Sequence, residues 1–247
     1  MLKKLKHLCF DKDGVLIDVH AYWRYNTELR ANFIKKKYKL NSDDCDLIID
    51  KMGINLSIGK IKKNGPVGYK PRNIVIEKVI KTLIELSINV EFGDIEKIFF
   101  QVDKNQQKNN DYKIILLDGV KEFLQKVNEK FILTIFTSDR KNNAVIALNN
   151  FGIKKYFDLI IGGDNVQNQK PNPDGILKAC SMIKMEPSET AYISDTYSDL
   201  EMAKSANVLY KFGALTGLGS EKELNKISDL VFNNFSELLY HINNAKL

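Results

Sequence analysis

Apolar positions along the chain fall into two textures. Leu5 to Phe10 is a short, partly apolar stretch that stops at Asp11, the pattern of a buried strand whose carboxyl end carries a polar loop. From about Val19 to Tyr112 apolar residues recur at helical spacing instead. Trp23, Leu29, Phe33 and Ile34 form one set. Ile76, Val79, Ile80, Leu83 and Ile84 form a second, and Ile95, Ile98, Phe99 and Val102 a third. Each predicts an amphipathic helix. Between the first and second sets, Gly53 to Arg72 holds four glycines and two prolines and reads as loop. Lys104 to Tyr112 is polar and reads as a linker.

After Asp118 strand and helix patterns alternate. Val120, Phe123, Leu124 and Val127 mark a helix, and Phe131 to Phe136 a strand. Ala144 to Phe151 lies in a helix that Gly152 closes, and Asp158 to Ile161 is a strand. Asn172-Pro173 reads as an N-cap followed by proline at the first helical position, opening a helix to about Met182. Ala191 to Ile193 is a strand and Leu200 to Ala206 lies in a helix. Val208 to Tyr210 and Leu230 to Phe232 are further strands, and Phe235 to Ile242 is a last helix. Such alternation implies a parallel sheet covered on both faces. The expected fold is therefore α/β, a doubly wound (Rossmann-like) parallel-sheet core of residues 1–18 and 113–247. A helical domain of residues 19–112 is inserted after the first strand.

Composition narrows the class. With 44% hydrophobic and 28% charged residues over 247 positions, the chain can bury a large core and is not a low-complexity sequence. No apolar run is long enough for a membrane span. The N-terminal apolar run is broken by His7 and ends at Asp11, too short for a signal-peptide core. Cys9, Cys45 and Cys180 are odd in number and lack metal-ligand spacing, which fits reduced thiols and a cytoplasmic protein. The net charge of +6 is spread over short clusters, namely Lys3, Lys4 and Lys6, Lys35 to Lys37, and Lys60, Lys62 and Lys63. None is a long basic tract interleaved with aromatics. The charge reads as a lysine-rich surface rather than a nucleic-acid footprint.

In a doubly wound sheet, ligands bind beyond the carboxyl ends of the strands. That rule selects the loops starting at Asp11, Thr137, Gly162 and Ser194. The first carries Asp11-Lys12-Asp13-Gly14, two carboxylates that can face one pocket, hold a divalent cation, or split their protonation states. The second, Thr137-Ser138-Asp139, offers hydroxyls and backbone N–H groups suited to phosphate oxygens. The third leads to Lys170 in Gln169-Lys170-Pro171, a cation on a stiff loop before a helix; a lone loop lysine is ordinarily solvated. In the fourth, Asp195 and Asp199 are four apart and can point to one side of a pocket, although Asp is also common at helix starts.

In this order, on these strand ends, FDKDGVLID, LTIFTSD, QKPNPD and YISDTYSDLEMAKSA resemble the haloacid dehalogenase superfamily, and within it capped, phosphoglycolate phosphatase-like enzymes. The resemblance covers the whole core. The helical insertion lies where that family places its cap. One departure stands out, Ser194 in place of the Gly that usually opens the fourth motif; Gly14-Val15 for Gly-Thr is a common variation within the resemblance.

The resemblance implies Mg²⁺-dependent hydrolysis of a small phosphorylated metabolite. Asp11 would be the nucleophile that forms an aspartyl-phosphate. Asp13 would be the acid that protonates the leaving oxygen and then the base for water. Thr137, Ser138 and Lys170 would bind the phosphoryl group. Asp11, the Asp13 carbonyl and Asp195 would hold Mg²⁺, with Asp199 acting through water. Asp13 favours phosphoryl transfer over dehalogenation. Asp13 and the lack of membrane spans separate the chain from the ion-pumping members, which carry Asp-Lys-Thr-Gly. The cap would close over the pocket and set substrate choice. Arg72, in Gly68-Tyr69-Lys70-Pro71-Arg72, is the candidate clamp for a substrate carboxylate or second phosphate. A sugar phosphomutase would carry the same core residues, and a non-catalytic binding protein could keep the fold. A monomer or homodimer is expected, with no membrane or nucleic-acid partner.

Overall fold

The computed structural model describes residues 4–109 and 114–244, with the backbone alone for 107–109. Lys3, the 110–112 part of the expected linker and the 112/113 domain boundary lie outside the described residues. The chain divides into two compact units, Met1–Asp18 with Leu116–Leu247, and Val19–Ile115.

The first unit opens with β1 (His7–Phe10). The second unit then carries α1 (Val19–Tyr38), α2 (Ser42–Met52), β2 (Ile54–Asn55), β3 (Lys60–Ile61), α3 (Arg72–Glu85) and α4 (Phe92–Asn109). The first unit resumes with α5 (Val120–Val127), β4 (Ile132–Phe136), α6 (Lys141–Asn150) and β5 (Leu159–Ile161). It continues through α7 (Asp174–Ile183), β6 (Thr190–Ser194), α8 (Tyr197–Ser205) and β7 (Tyr210–Ala214). It ends with α9 (Glu221–Leu224), β8 (Leu230–Phe232) and α10 (Phe235–Asn244).

The six strands of the first unit form one sheet in the order β5-β4-β1-β6-β7-β8, and every pairing in it is parallel. This is the doubly wound α/β architecture expected from the alternation. β1 is central: Phe10 pairs in register with Ile135 of β4 and Ile193 of β6. The chain steps outward from β1 through β4 to β5, then returns to β6 on the other side of β1. The winding reverses beside β1, which is where such sheets leave a crevice at their carboxyl ends.

Alternation along the strands feeds two cores. On one face Cys9, Phe136 and Tyr192 pack with Ile176, Ala179 and Cys180 of α7 and Leu200, Met202 and Ala203 of α8. On the other, Phe10 meets the Phe123 and Phe157 rings edge-on at 6.3 and 5.9 Å. Phe123 of α5 in turn packs on Phe235 of α10 at 4.9 Å. A buried polar group sits near the start of β1. His7 Nδ1 is 2.9 Å from Thr190 Oγ1 and Nε2 is 2.7 Å from Thr134 Oγ1. The Thr190 hydroxyl donates to the Glu186 carbonyl at 3.1 Å. Thr190 must then accept from His7 Nδ1–H, and Nε2 accepts from Thr134, so neutral imidazole fits without a lost bond.

Several boundaries differ from the sequence expectation. The 104–109 stretch is helix, the last turns of α4, because Lys, Asn and Gln continue a helix whose apolar face ends earlier. The Gly53–Arg72 stretch holds the β2–β3 hairpin, with Ile54 paired to Ile61. Helix α2 was not anticipated. Asn41 Oδ1 accepts from Asp44 N at 2.8 Å and Asp44 Oδ2 from Asn41 N at 3.3 Å, a capping box ahead of the buried Cys45, Ile48, Ile49 and Met52. The N-cap of α7 is Pro173, one position later than expected, while Asn172 Oδ1 accepts from Asp174 N at 3.0 Å. The strand expected at Val208–Tyr210 is β7, Tyr210–Ala214. Val208 instead closes α8, its N–H reaching the Ala203 carbonyl at 3.3 Å after a left-handed Asn207.

Candidate active site

The loop after β1 turns tightly. Gly14 N donates to Ile17 O at 2.8 Å, and Leu16 N donates to Lys12 O at 2.9 Å. Gly14 has φ +80°, and a Cβ there would run into the Asp195 carboxylate. The turn leaves Asp11 buried, its Oδ1 accepting from Lys12 N at 2.8 Å. Asp13 is partly exposed.

Lys170 reaches the same place from the loop before α7. Its Nζ is 2.9 Å from Asp11 Oδ1 and 2.6 Å from Asp199 Oδ2. The ammonium also lies over the Phe136 and Tyr192 rings, 5.2 and 5.7 Å from their centroids. Burial pulls its pKa down, but Asp11, Tyr192 and Asp199 outweigh it and hold Lys170 protonated well above its ordinary range. Asp199 is further tied by Ser194 Oγ at 3.3 Å and, through its amide, by Thr196 Oγ1 at 3.3 Å. Ser194, the departure from the usual Gly, thus points its hydroxyl at this carboxylate.

Asp195 follows β6 and is buried. Its Oδ2 accepts from Leu218 N at 2.7 Å, and its carbonyl from Gly219 N at 2.9 Å. Gly217, like Gly14, stands where any Cβ would strike this carboxylate, so two glycines cradle it. Burial and then the Asp11 charge push Asp195 up to about 8. Burial, opposed by Lys170 and reinforced by Asp199, pushes Asp11 up to about 7.

Of the groups expected to hold a cation, Asp11, the Asp13 carbonyl and Asp195, with Asp199 through water, two are carboxylates placed to bind it directly. Among the described residues no three His, Cys, Asp or Glu groups form a metal-ligand set. Lys170 stands between Asp11 and Asp199, and the Asp13 carboxylate turns to Lys12. Asp11 and Asp195 remain. Two buried, mutually repelling carboxylates, one of them in a glycine cradle, are hard oxygen donors that suit a hard divalent cation.

Thr137 is buried at the end of β4, and its Oγ1 accepts from Asp139 N at 3.2 Å. Ser138 beside it is exposed. Arg72 belongs to the helical unit, as the first residue of α3. Its Nη2 donates to Asp103 Oδ2, and Arg30 Nη2 donates to Asp103 Oδ1 at 3.1 Å. Two residues escaped the sequence reading. Lys12 is buried with its ammonium 2.8 Å from Asp13 Oδ1 and 3.3 Å from Asp139 Oδ2. The Tyr192 hydroxyl is buried with no hydrogen-bond partner among the described residues. The signal for Lys12 was its place between two acids just after a buried strand; for Tyr192 there was none.

The sequence profile of haloacid dehalogenase-like hydrolases matches residues 8–211. The chain belongs to this family. A pyrophosphatase PpaX from Listeria monocytogenes is 30% identical over 153 residues, 62% of this chain and 70% of that protein. A predicted phosphoglycolate phosphatase from Haemophilus somnus superposes with a TM-score of 0.69 at 19% identity, covering 97% of this chain and 99% of that one. A Thermotoga maritima protein provisionally assigned as a beta-phosphoglucomutase gives 0.69 at 21% identity, covering 98% and 100%. These two likenesses concern the fold. Within the family frame, Asp11, Asp13, Thr137, Lys170, Asp195 and Asp199 all stand at or just beyond the carboxyl ends of the sheet, in the chain order of the motifs. No helix among the described residues is long and apolar enough to cross a membrane.

Proposed function

We propose that this hydrolase removes phosphate from a small phosphomonoester, in the manner of a phosphoglycolate phosphatase, through an aspartyl-phosphate on Asp11 and with Mg²⁺ as cofactor. The observation that carries this reading is the buried Asp11 held 2.9 Å from the Lys170 ammonium at the winding reversal of the sheet.

A carboxylate attacking a phosphate must overcome the repulsion of two anions. Lys170 supplies a fixed positive charge at the nucleophile, and its second ion pair, to Asp199, sets its direction. The Lys12 amide holds Asp11 Oδ1, leaving Oδ2 as the attacking oxygen. Thr137 at the β4 end orients the phosphoryl oxygens. Asp13 donates its proton to the leaving oxygen and then takes one from the water that cleaves the acyl phosphate. Asp11 and Asp195, with the Asp13 carbonyl, would hold Mg²⁺, which when bound supplies charge that offsets the phosphate and the paired carboxylates.

The test is acid-quench trapping with a ³²P-labelled monoester. Label should stay on wild-type protein and be absent from Asp11→Asn, and the product should be inorganic phosphate rather than an isomerised sugar phosphate. Label retained by Asp11→Asn would remove Asp11 from the nucleophile's role.

A further inference from the structure

Lysine is among the residues least often buried. Lys12 is an exception, with its side chain 6% exposed and its ammonium reaching two carboxylates, Asp13 Oδ1 at 2.8 Å and Asp139 Oδ2 at 3.3 Å. A buried ammonium left unpaired is costly, so these contacts fix where its charge sits. The two acids differ. Asp139 is anchored: its Oδ1 accepts from Arg140 N at 2.7 Å and from Asn143 Nδ2 at 2.9 Å. Its carbonyl accepts from Gly163 N at 2.9 Å, which ties the loop after β4 to the loop after β5. Asp13 is the more exposed partner, its side chain 41% exposed against 30% for Asp139. Lys12 therefore connects a fixed carboxylate on one loop to a half-exposed carboxylate on another.

We infer that Lys12 is a positioning residue for Asp13, a tether from the Asp139 platform that holds the acid/base carboxyl by one oxygen and presents the other for proton transfer. The inference rests on the phosphatase reading, in which Asp13 serves the leaving group. As the bond from Asp11 to phosphorus forms, the bond to the leaving oxygen breaks and its electron pair stays on that oxygen. The proton that neutralises it comes from Asp13 Oδ2. A tethered carboxyl is already near the productive rotamer; an untethered one must find it in each turnover. The same residue holds the nucleophile through its backbone, since Lys12 N donates to Asp11 Oδ1. A neutral side chain at position 12 keeps that amide and removes the tether alone.

The consequence is specific to the leaving group. An alkoxide needs the proton from Asp13, whereas p-nitrophenolate leaves well without one. The experiment measures kcat/KM, which reports the steps through phosphoryl transfer, for Lys12→Met and Lys12→Gln. The two substrates are p-nitrophenyl phosphate and an alkyl monoester, whichever of 2-phosphoglycolate, glycerol 2-phosphate and glucose 6-phosphate wild type hydrolyses fastest. For the alkyl ester the expected loss is about 30-fold, a fraction of the full general-acid contribution. For the nitrophenyl ester it is about threefold or less. Asp139→Asn, which removes one of the two charges that Lys12 pairs with and leaves Lys12 in place, should show a smaller loss of the same asymmetric kind. Circular dichroism and thermal melting accompany each variant. If Lys12→Met does not fold, Lys12→Gln and Asp139→Asn carry the test.

Equal losses on both substrates, or a loss confined to KM, would overturn the inference; the KM result would make Lys12 a direct substrate contact. Wild-type protein that turns over neither ester would overturn the phosphatase reading and this inference with it. Wild-type turnover with symmetric losses would overturn the inference alone.

Discussion

Both units of the molecule bury charge, but on different terms. In the helical unit, Arg30 of α1 is buried over the Phe99 ring at 4.5 Å and paired with Asp103 of α4. One buried cation meets one carboxylate, and the second cation on that carboxylate, Arg72, is half exposed. At the strand ends of the core unit, three buried carboxylates, Asp11, Asp195 and Asp199, crowd together, and the buried Lys170 pairs with two of them, Asp11 and Asp199. The surplus negative charge appears as Asp11 pushed up to about 7 and Asp195 to about 8. Balanced charge between helices ties elements together. Like charges forced together at strand ends are what a cation and a phosphoryl group would meet. Buried charge alone separates nothing; the sign of the imbalance does.

The comparison breaks most readily at Asp11. Asp11→Asn keeps the shape and removes the nucleophilic charge, and turnover should fall by more than about a thousandfold. Activity above about a tenth of wild type would show that the crowding at β1 has another purpose. Lys170→Met comes next. It leaves Asp11 and Asp199 without their lysine, and kcat should fall about a hundredfold or more. A loss within threefold would mean that the Lys170 pairings are structural, like that of Arg30.

A third kind of buried polar group sharpens the contrast. His7 is neutral, satisfied by two threonines, and burial lowers its pKa from 6.5 to about 4. Between pH 6.5 and 4 the unfolded chain takes up a proton at His7 that the folded chain refuses. Its contribution is therefore complete above 6.5 and declines as pH falls toward 4, by up to about 3 kcal/mol. Asp11 and Asp195, being raised, pull stability the other way, so the quantity to follow is the gap between wild type and His7→Gln in denaturant unfolding. That gap should shrink from pH 7 to pH 4.5; a gap constant across the range would mean that His7 titrates normally.

The smallest effect is expected at Arg72. As a half-exposed partner of Asp103, its truncation to Ala should cost no more than about 1 kcal/mol of stability. KM should stay within about twofold if the Asp103 ion pair is the whole of its role. A tenfold rise in KM with unchanged melting would return Arg72 to the role of substrate clamp.

Much of the fold was legible because its strands are largely apolar runs that end on polar or charged residues. β1, β4 and β6 are followed by Asp11, Thr137 and Asp195, and a parallel sheet puts those ends side by side. Elements whose signal is capping rather than hydrophobic period were harder. Helix α2 begins on an Asn41–Asp44 box, and the β2–β3 hairpin is only two residues deep on each side. Val208 is apolar because it closes α8, not because it starts a strand. In the site, residue types were legible but pairings were not. A sequence cannot say that Asp199 faces Lys170, that Asp13 faces Lys12, or that Arg72 is already bound to Asp103. Those depend on which rotamers the packed loops allow. Lys12 was passed over although it stands between two acids just after a buried strand, since a lysine in a loop is ordinarily in water.

The most direct measurement is phosphate release from a panel of phosphorylated metabolites by wild type and Asp11→Asn, each with Mg²⁺ and with a chelator. Wild type with Mg²⁺ should release inorganic phosphate from at least one small monoester, and both the chelator and Asp11→Asn should abolish it. Release that survives in Asp11→Asn, or that no metabolite elicits from wild type, would contradict a buried aspartate nucleophile at the end of β1.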